Sequence, residues 1–482
     1  MTDADVVVIG AGPTGLLLAG DLAEAGLQVR LLEKRSQRSN LTRAFAVHAR
    51  TLEHLQVRGL ADALVATGHP VDGLQLFGSV TLRLTGLDSP FPYLLVTPQL
   101  HVERLLLERA LDHGVQIVEG AEVTGLSQDD GGVLVASRDA AGAGPGSTST
   151  VTAAPFAVGT DGYRSAVRDA LGLDFPGRSA IRSLMLADVR LTAPPRDLLT
   201  VRGNSHGFVF VVPFGDGWHR VIARDARREV DVDSPASLEE VRDVVTRVLG
   251  TDLGMTEARW TSRFHSDERQ VARYRVGRVL LAGDAAHVHS PAGGMGMNTG
   301  LQDAANLSWK LAAVLAGRAE EAMLDSYHDE RHAVGEQVLR TSGGLIRAAL
   351  LRHPLSRAMR DLAVRAALAL PPASAALSGR VSGIALRYPA PQGSHALVGR
   401  RAVDGGVGLG IEGGRFALVA PEPLLARHRA SRHLATCPID AGVPAQLVRP
   451  DGYVAWARAP GDRGEAGLSQ AMRRWGALTP SG

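Results

Sequence analysis

The sequence predicts an α/β protein that contains an antiparallel-sheet region and ends in a small α/β unit. Three observations lead to this prediction. Residues 6–33 read as strand, glycine-rich turn, helix and strand. Residues 180–265 carry strand-like runs without regular intervening helices, which is typical of an antiparallel sheet. From about Gly393 the pattern changes again, to short strands and turns that continue to the end of the chain.

The first glycine-rich turn has the spacing of a dinucleotide-binding loop. Gly10, Gly12 and Gly15 are spaced G-x-G-x-x-G, after one apolar run and before a helical pattern. Gly10 permits the tight turn, Gly12 lets the backbone approach a pyrophosphate, and Gly15 lets the helix pack against the strand. The helix N-terminus offers N–H groups to the phosphates, and Glu33 stands where an acid binds a ribose. We therefore predict a Rossmann-like site in this segment.

A second glycine-rich loop follows the predicted strand 279–282. The strand ends at Gly283 and Asp284, and the loop from Pro291 feeds a helix predicted to begin at Asn298. A helix N-terminus after such a loop favours anions, and an acid beside it would accept hydrogen bonds from ribityl hydroxyls. His287 and His289 have H-x-H spacing but no third nitrogen or sulfur ligand nearby, so we predict no metal site.

Other candidate positions are open to two interpretations. Asp161-Gly162 ends a predicted strand and starts a helix, as either a site turn or an ordinary turn. Aromatic residues in the β-rich region either pack a core or line a flat pocket for a planar substrate, and alternation alone does not separate these. No Ser-His-Asp set is present. The candidates for a catalytic base are Arg220, His206 and His219, each weighed against a structural role and none assigned.

Composition narrows the class of protein. Lys and Arg total 52 against 50 Asp and Glu, so nucleic-acid binding has no support. The single cysteine, Cys437, excludes an intramolecular disulfide framework. The start MTDAD is unlike a signal peptide, and no apolar run reaches the ~20 residues that span a membrane. We expect a cytoplasmic protein, a monomer or homodimer, with no membrane partner.

Three motifs together resemble a known family. They are GAGPTG from Gly10 with Glu33, GTDGYR from Gly159, and GDAAHVHSPAGGMGMN from Gly283. The set resembles the group A flavin-dependent aromatic hydroxylases, whose relatives include p-hydroxybenzoate hydroxylase. VTPQ, HARTLE and MLDSYHDERH make it more similar to actinomycete aromatic polyketide hydroxylases and rifampicin monooxygenases. The resemblance covers residues 3 to about 388. The last ninety residues resemble the small thioredoxin-like domain of that subgroup, without a C-x-x-C.

The resemblance implies a fold, a reaction and a set of residues. It implies an FAD-binding domain over 1–175 and 266–390, with 70–100 partly in a substrate domain over 176–265, and a divergent C-terminal domain over 391–482. The implied reaction hydroxylates a polycyclic aromatic substrate through a flavin C4a-hydroperoxide, with FAD, transient NADPH or NADH, and O2. The implied cofactor-binding residues are Gly10, Gly12, Pro13, Thr14, Gly15, Glu33, Lys34, Arg43, Gln99, Val123, Asp161, Gly162, Asp284, Pro291, Gly294, Met295, Gly296, Met297 and Asn298. The substrate-pocket candidates are Phe208, Phe210, Phe214, Pro291, Ala292 and Gly293.

Two alternatives and three departures accompany the resemblance. A Baeyer–Villiger or antibiotic-inactivating oxygenation would use the same scaffold, and so would an FAD-binding homologue that lacks oxygenase activity. The family usually has Cys where Thr160 stands, often Gly at Tyr163 and commonly Gln at Met295. We expect these changes to affect flavin reduction and flavin mobility more than FAD binding.

Overall fold

A computed structural model describes residues 2–37, 44–140, 149–231, 233–351, 353–428, 430–462 and 467–478. Its strands are β1 Val6–Ile9, β2 Val29–Glu33, β3 Ala46–Val47, β4 His69–Val71, β5 Gly73–Leu76, β6 Val80–Arg83, β7 Leu94–Val96, β8 Gln116–Glu119, β9 Ala121–Asp129, β10 Gly132–Asp139, β11 Ser149–Ala154, β12 Phe156–Gly159, β13 Gly177–Leu191, β14 Thr200–Gly203, β15 Gly207–Pro213, β16 Trp218–Asp225, β17 Met255–Gln270, β18 Arg275–Val276, β19 Val279–Leu281, β20 His287–Val288, β21 Phe416–Ala420, β22 Leu434–Pro438, β23 Ala445–Val448 and β24 Val454–Arg458. Its helices are α1 Pro13–Glu24, α2 Ala49–Gln56, α3 Ala61–Val65, α4 Gln99–Asp112, α5 Ala166–Ala170, α6 Leu238–Leu249, α7 Gly296–Leu315, α8 Asp325–Ala349, α9 Pro354–Leu368, α10 Pro371–Ser382, α11 Glu422–Leu425 and α12 Leu468–Trp475.

The central sheet has the order β18-β19-β12-β1-β2-β8, and its strands are parallel except for the edge strand β18. β1 is entirely apolar and buried because helices cover both faces of such a sheet. The chain leaves β1 toward β2 on one side, while β12 lies on the other side, so the carboxyl end of β1 is a topological switch point. Gly10, Thr160 and Ala282 follow β1, β12 and β19 directly, which brings the three motifs to one edge.

The predicted antiparallel region is a sheet of order β14-β15-β16-β13-β17-β20. Alternation divides its side chains between two faces. One face packs under α6 through a cluster that includes Met185, Val209 and Val244. Leu184, Leu186 and other apolar side chains lie on the opposite face. The strands predicted here are confirmed, while β14 was not predicted because it is only four residues long and polar at Arg202.

The C-terminal segment forms a sheet of order β22-β21-β23-β24, in which a hairpin through Asp451 and Gly452 joins β23 to β24. Its core includes Phe416 and Trp475 and continues into Trp309 of α7, so this sheet packs against α7. The mixed α/β fold is confirmed, and the domain boundaries stay a prediction. In the part of the chain that the structure describes, no single helix passes the length and apolarity test for a membrane span. Together α9 and α10 do so as a pair bent by 102°.

Candidate cofactor and substrate site

The glycine-rich turn after β1 is tightly packed on one side and open on the other. Gly10 has φ +103°, and a Cβ on Gly15 would lie 2.0 Å from the carbonyl oxygen of Gly10. A Cβ on Gly12 would meet nothing within 4 Å, so this glycine faces open space. Gly12 is the N-cap of α1 and Pro13 follows it in the first turn, with no side-chain cap. The first turn of the helix is therefore left available to an anion.

Glu33 closes the other side of this turn. Its carboxylate accepts hydrogen bonds from Ala11 N at 2.8 Å and from Arg35 Nε at 2.8 Å. Burial opposes ionisation, but the hydrogen bonds from Arg35 and Ala11 outweigh it and hold the pKa of Glu33 below its usual range. Glu33 is thus a buried carboxylate beside the loop, where it orders the backbone of the turn.

The end of β12 joins the same edge. The Thr160 hydroxyl lies 2.8 Å from the carbonyl oxygen of Ile9 and 2.9 Å from that of Gly10, and it donates to this pair of acceptors. Asp161 accepts from Val167 N at 3.2 Å, and its other carboxylate oxygen is buried without a partner among the described residues. Burial raises the pKa of Asp161 despite the hydrogen bonds it accepts. Gly162 has φ +82°, and a Cβ there would meet nothing within 4 Å, so the Asp161-Gly162 turn also faces open space.

Hydrogen bonds from Asn298 and His48 to backbone carbonyls hold the second glycine-rich loop in place. Asn298 Oδ1 accepts from His48 N at 2.9 Å, and its Nδ2 donates to Ala46 O and Gly294 O at 2.9 and 2.8 Å. His48 Nε2 donates to Gly293 O at 2.7 Å, which leaves the neutral ring with an unprotonated Nδ1. The Asn298 amide is therefore used by the protein, and it shapes the loop rather than pointing into the free volume. The helix begins at Gly296, two residues before the predicted start.

A buried charged network fixes the start of α7 to β19 and α8. Asp303 accepts from Gly283 N at 3.0 Å, lies 2.6 Å from His287 Nε2, and pairs with Arg331 Nε at 2.7 Å. Burial opposes ionisation of Asp303, but Arg331 and His287 outweigh it and lower its pKa. Sequence reasoning missed Asp303 and Arg331, although MLDSYHDERH contains the arginine. His287 is held by this carboxylate, and the described residues contain no group of three or more His, Cys, Asp or Glu that could hold a metal ion.

The remaining predicted cofactor residues lie in different surroundings. Gln99 begins α4, accepts from Ala44 N at 3.1 Å and donates to Glu103 at 2.7 Å. Val123 is buried in β9. The Thr14 side chain packs against Gly283 and Gly300, which joins α1 to β19 and α7. Arg43 lies outside the described residues. Lys34 and Asp284 are exposed, and Met297 packs partly against the main core.

The departures from the family pattern have specific contacts. Thr160 takes part in the turn described above. The Tyr163 hydroxyl donates to Asp267 Oδ2 at 2.8 Å, while its ring remains 44% exposed. The Met295 side chain is buried with Val334, Val338 and Tyr388, so it packs beneath the loop. The contact of Met295 with the cofactor stays a prediction; its side chain packs into this cluster, and its backbone belongs to the loop.

A cavity lies between the second loop and the antiparallel sheet. It encloses about 1070 Å³ of space, including its open mouth. Pro291, Ala292 and Gly293 form part of its wall, and Phe208 and Phe210 of β15 form another part. Phe45, which sequence reasoning missed, stacks on Phe210 with ring centroids 5.0 Å apart. These five predicted pocket residues are therefore brought together. Clefts lined mainly by apolar and aromatic side chains are typical of small-molecule sites.

The sixth pocket candidate and the three candidate bases lie elsewhere. Phe214 is covered by the Arg220 guanidinium, 3.6 Å above its ring, so its assignment to the pocket is corrected. Arg220 is fully buried and paired with Asp188 at 2.8 and 2.9 Å, across neighbouring strands. His206 is exposed in the turn before β15, and burial lowers the pKa of His219. Among the described residues that line the cavity, none of these four is present. Strand alternation predicts that Phe214 lies on the same face of the sheet as Phe208 and Phe210, but it does not predict how far along the strand the cavity extends.

The residues at the sheet edge fit an FAD molecule. Free space lies above Gly12 and Gly162, the N-termini of α1 and α7 have no side-chain cap in the described structure, and Asp161 carries a buried unpartnered oxygen. A dinucleotide needs open backbone at the turn and N–H groups for its phosphates. This edge provides both, and the second loop continues from it to the cavity.

Comparisons with known proteins agree with this geometry. A family model described as FAD binding domain matches residues 3–342, and one described as aromatic-ring hydroxylase, C-terminal, matches residues 422–477. A 12-dehydrotetracycline 5-monooxygenase/anhydrotetracycline 6-monooxygenase of Streptomyces rimosus subsp. rimosus is 37% identical, over 98% of each chain. A rifampicin monooxygenase of Streptomyces venezuelae is 37% identical over 94% of this chain and 95% of the relative. The structure of OxyS anhydrotetracycline hydroxylase from Streptomyces rimosus has a TM-score of 0.86 at 35% identity, over 98% of this chain and 99% of that one.

Proposed function

Because the chain belongs to the family of FAD-dependent aromatic-ring hydroxylases and is an FAD-dependent monooxygenase, we propose that it hydroxylates a polycyclic aromatic compound of polyketide type. The observation that carries this proposal is the shared loop. Residues 291–294 form a wall of the apolar cavity, and Gly296 begins α7, whose Gly300 packs against Thr14 and Gly283 at the carboxyl edge of the central sheet. A planar substrate in the cavity would thus lie against the segment that borders the cofactor.

The residues of the chain have separate tasks in this proposal. When bound, FAD would supply the redox chemistry of the reaction, which is acceptance of a hydride from NADPH or NADH and activation of dioxygen for transfer of one oxygen atom. Gly10 to Gly15, with Glu33, would hold its ADP half, and Asp161-Gly162 and Asp284 would border the pyrophosphate and ribityl chain. The N-terminus of α7 would stabilise negative charge on the isoalloxazine ring. The apolar wall of the cavity would exclude water from the reacting centre.

Steady-state oxidation of the nicotinamide cofactor tests the first part of this function. The purified FAD-loaded protein would be mixed with NADPH or NADH, alone and with a panel of polycyclic phenols. We expect at least one phenol to accelerate oxidation of the nicotinamide about tenfold or more over the rate without substrate. An equal rate with and without every phenol would contradict a hydroxylase of this class.

Mass spectrometry of the products tests the second part. We expect a gain of one oxygen atom with the ring system intact. A rifampicin monooxygenase is among the relatives, which keeps the antibiotic-inactivating alternative in view. A product in which an oxygen is inserted into a ring, giving an ester in place of a ketone, would instead identify Baeyer–Villiger oxygenation.

A further inference from the structure

An apolar face of α9 is exposed to solvent. Leu355, Met359 and Leu362 are 63%, 63% and 71% exposed, and their i, i+4, i+7 spacing places them on one side of the helix as an apolar stripe. The structure describes α9 over its whole length, and the helix contains no buried residue. Leu370, just after the end of the helix, is 60% exposed. Single exposed apolar residues are normal, whereas several on one face indicate a surface that binds a partner.

Polar side chains of α9 face the protein. Arg357 donates to Gly203 O at 3.0 Å, and Asp361 accepts from the Ser79 hydroxyl at 2.6 Å. These contacts fix α9 to β14 and to the turn between β5 and β6. Surface helices of globular proteins usually have the opposite arrangement, with the apolar face packed on the core and the polar face in water. The apolar stripe is therefore held outward by specific contacts of the fold.

Positive charge flanks the apolar stripe. Residues 351–382 contain five arginines and a single acidic residue, Asp361. Arg357 and Arg365 donate hydrogen bonds to backbone carbonyls, Arg365 to Ser79 O at 2.9 Å, and these contacts do not neutralise their charge. Two copies of this face would bring like charges together, which opposes self-association. An anionic surface would attract the same charges.

The helix that carries the stripe adjoins the apolar cavity. Ala349, at the end of α8, and Val381 of α10 belong to the cavity wall, and α9 connects these two helices. Phe77, another residue of the wall, lies under the Arg360 guanidinium at 4.3 Å from the ring centre. A polycyclic apolar compound prefers lipid to water. A lipid surface beside the cavity therefore agrees with the proposed function, and this step alone rests on it.

We propose that the apolar stripe of α9 docks the protein on the surface of an anionic membrane. Leu355, Met359 and Leu362 would enter the boundary between headgroups and acyl chains, and the flanking arginines would meet lipid phosphates. A helix with an apolar face and neighbouring arginines is typical of segments that lie in the plane of a membrane surface. The expectation of no membrane partner rested on the lack of a spanning run, and surface binding needs no such run.

Vesicle sedimentation tests this proposal. The full FAD-loaded chain would be centrifuged with vesicles of phosphatidylcholine alone, or of phosphatidylcholine and phosphatidylglycerol in equal parts. We expect binding to the anionic vesicles, and binding at least about tenfold weaker to the neutral ones. Leu362→Glu should weaken binding about tenfold or more, because a carboxylate would have to enter the apolar boundary. Arg365→Gln should weaken binding to the anionic vesicles about fivefold.

Leu111→Glu is the matched control. Leu111 of α4 is 53% exposed, and the substitution changes the net charge by the same amount as Leu362→Glu does. We expect Leu111→Glu to bind vesicles as the wild type does. Flavin absorbance and circular dichroism would show that each variant is folded with FAD bound. If Leu362→Glu does not fold, Met359→Gln takes its place.

Loss of vesicle binding in Leu362→Glu, with Leu111→Glu unchanged, supports the proposal. Failure of the wild type to bind either kind of vesicle, equal binding to both kinds, or an equal loss in the two glutamate variants would overturn it. So would a wild-type dimer in light scattering that Leu362→Glu dissociates and that binds no vesicles, because a second copy would then cover the stripe. None of these results bears on oxidation of the nicotinamide cofactor, which tests the proposed function separately.

Discussion

At the scale of single residues, the glycines of the turn after β1, where the cofactor is proposed to bind, are subject to different physical constraints. Gly15 is required by packing, because a Cβ there would meet the backbone of Gly10. Gly12 is required only by what lies in the open space above it. We therefore expect substitution of Gly15 to affect the stability of the fold and substitution of Gly12 to affect cofactor binding.

Alanine substitution at each glycine tests the difference. Gly12 has φ −74°, which alanine adopts readily, so we expect Gly12→Ala to change the unfolding free energy of the apoprotein by less than about 0.5 kcal/mol. Its Cβ would occupy space needed by the pyrophosphate, and FAD affinity should fall at least about tenfold. For Gly15→Ala we expect a loss of about 3 kcal/mol, because the clash is with backbone. Denaturant unfolding and FAD titration check both values, and equal destabilisation by the two variants would contradict this account.

His48 gives the site a pH dependence. Burial lowers its pKa to about 4, although the hydrogen bond to Gly293 O acts in the opposite direction. The folded state thus favours the neutral ring, and its stabilising contribution is complete above the unfolded pKa of about 6.5 and is lost as pH falls toward 4. Between pH 7 and pH 5 this loss is about 2 kcal/mol.

Glutamine at position 48 removes the titration and keeps an N–H donor for Gly293. We expect His48→Gln to reduce the drop in unfolding free energy between pH 7 and pH 5 by about 2 kcal/mol relative to the wild type. Urea unfolding at the two pH values measures it. Parallel pH profiles for the two proteins would show that His48 does not titrate in this range.

At the scale of elements, α7 connects the site to the rest of the molecule. Its first turn borders the cofactor edge, and Asp303 ties it to β19 and α8. Further along, Lys310 Nζ lies 2.8 Å from Glu330 of α8, and Arg449 from the C-terminal hairpin lies 2.6 Å from the same carboxylate. Burial opposes ionisation of Glu330, but Arg449 and Lys310 hold its pKa at about 2. One carboxylate thus joins α7, α8 and the C-terminal segment.

Neutralising this carboxylate should weaken all three elements together. Glu330→Gln would leave two buried cations with less opposing charge, and we expect a loss of about 3 kcal/mol in unfolding free energy. Glu336→Gln on the same helix is the control. Its pair with Arg340 is exposed, and we expect a change within about 0.5 kcal/mol. Thermal and denaturant unfolding of both variants would show whether the buried charge matters; similar small effects would mean that water reaches Glu330.

At the scale of the whole molecule, the sequence predicted the α/β class, the order of its motifs and most of the strands and helices around them. Those features depend on local periodicity and on glycine spacing, which involve only residues close together in the sequence. Phe214 and Phe45 show what could not be predicted. Their places in or out of the cavity depend on β15, the residues before β3 and the loop from residue 291 coming together in space. The ion pairs of Asp303 and Glu330 have the same long-range origin.

The C-terminal segment shares its core with α7, and this has a consequence for unfolding. Trp475 of α12 lies 5.9 Å from Trp309 of α7 between ring centroids, and Phe416 of β21 lies 5.5 Å from Trp309. Two units that share buried aromatic residues and a buried ion cluster should unfold in one step. We therefore expect tryptophan fluorescence and far-ultraviolet circular dichroism to give the same transition midpoint.

Trp475→Ala tests this coupling. Loss of a buried indole should cost about 3 to 5 kcal/mol and move the fluorescence and dichroism transitions to the same new midpoint. Arg473→Ala, at an exposed position of the same helix, should leave both in place. If Trp475→Ala lowers only the fluorescence midpoint while the dichroism transition stays, the C-terminal segment unfolds on its own. The packing of the C-terminal segment on α7 would then not couple its unfolding to that of the rest of the protein.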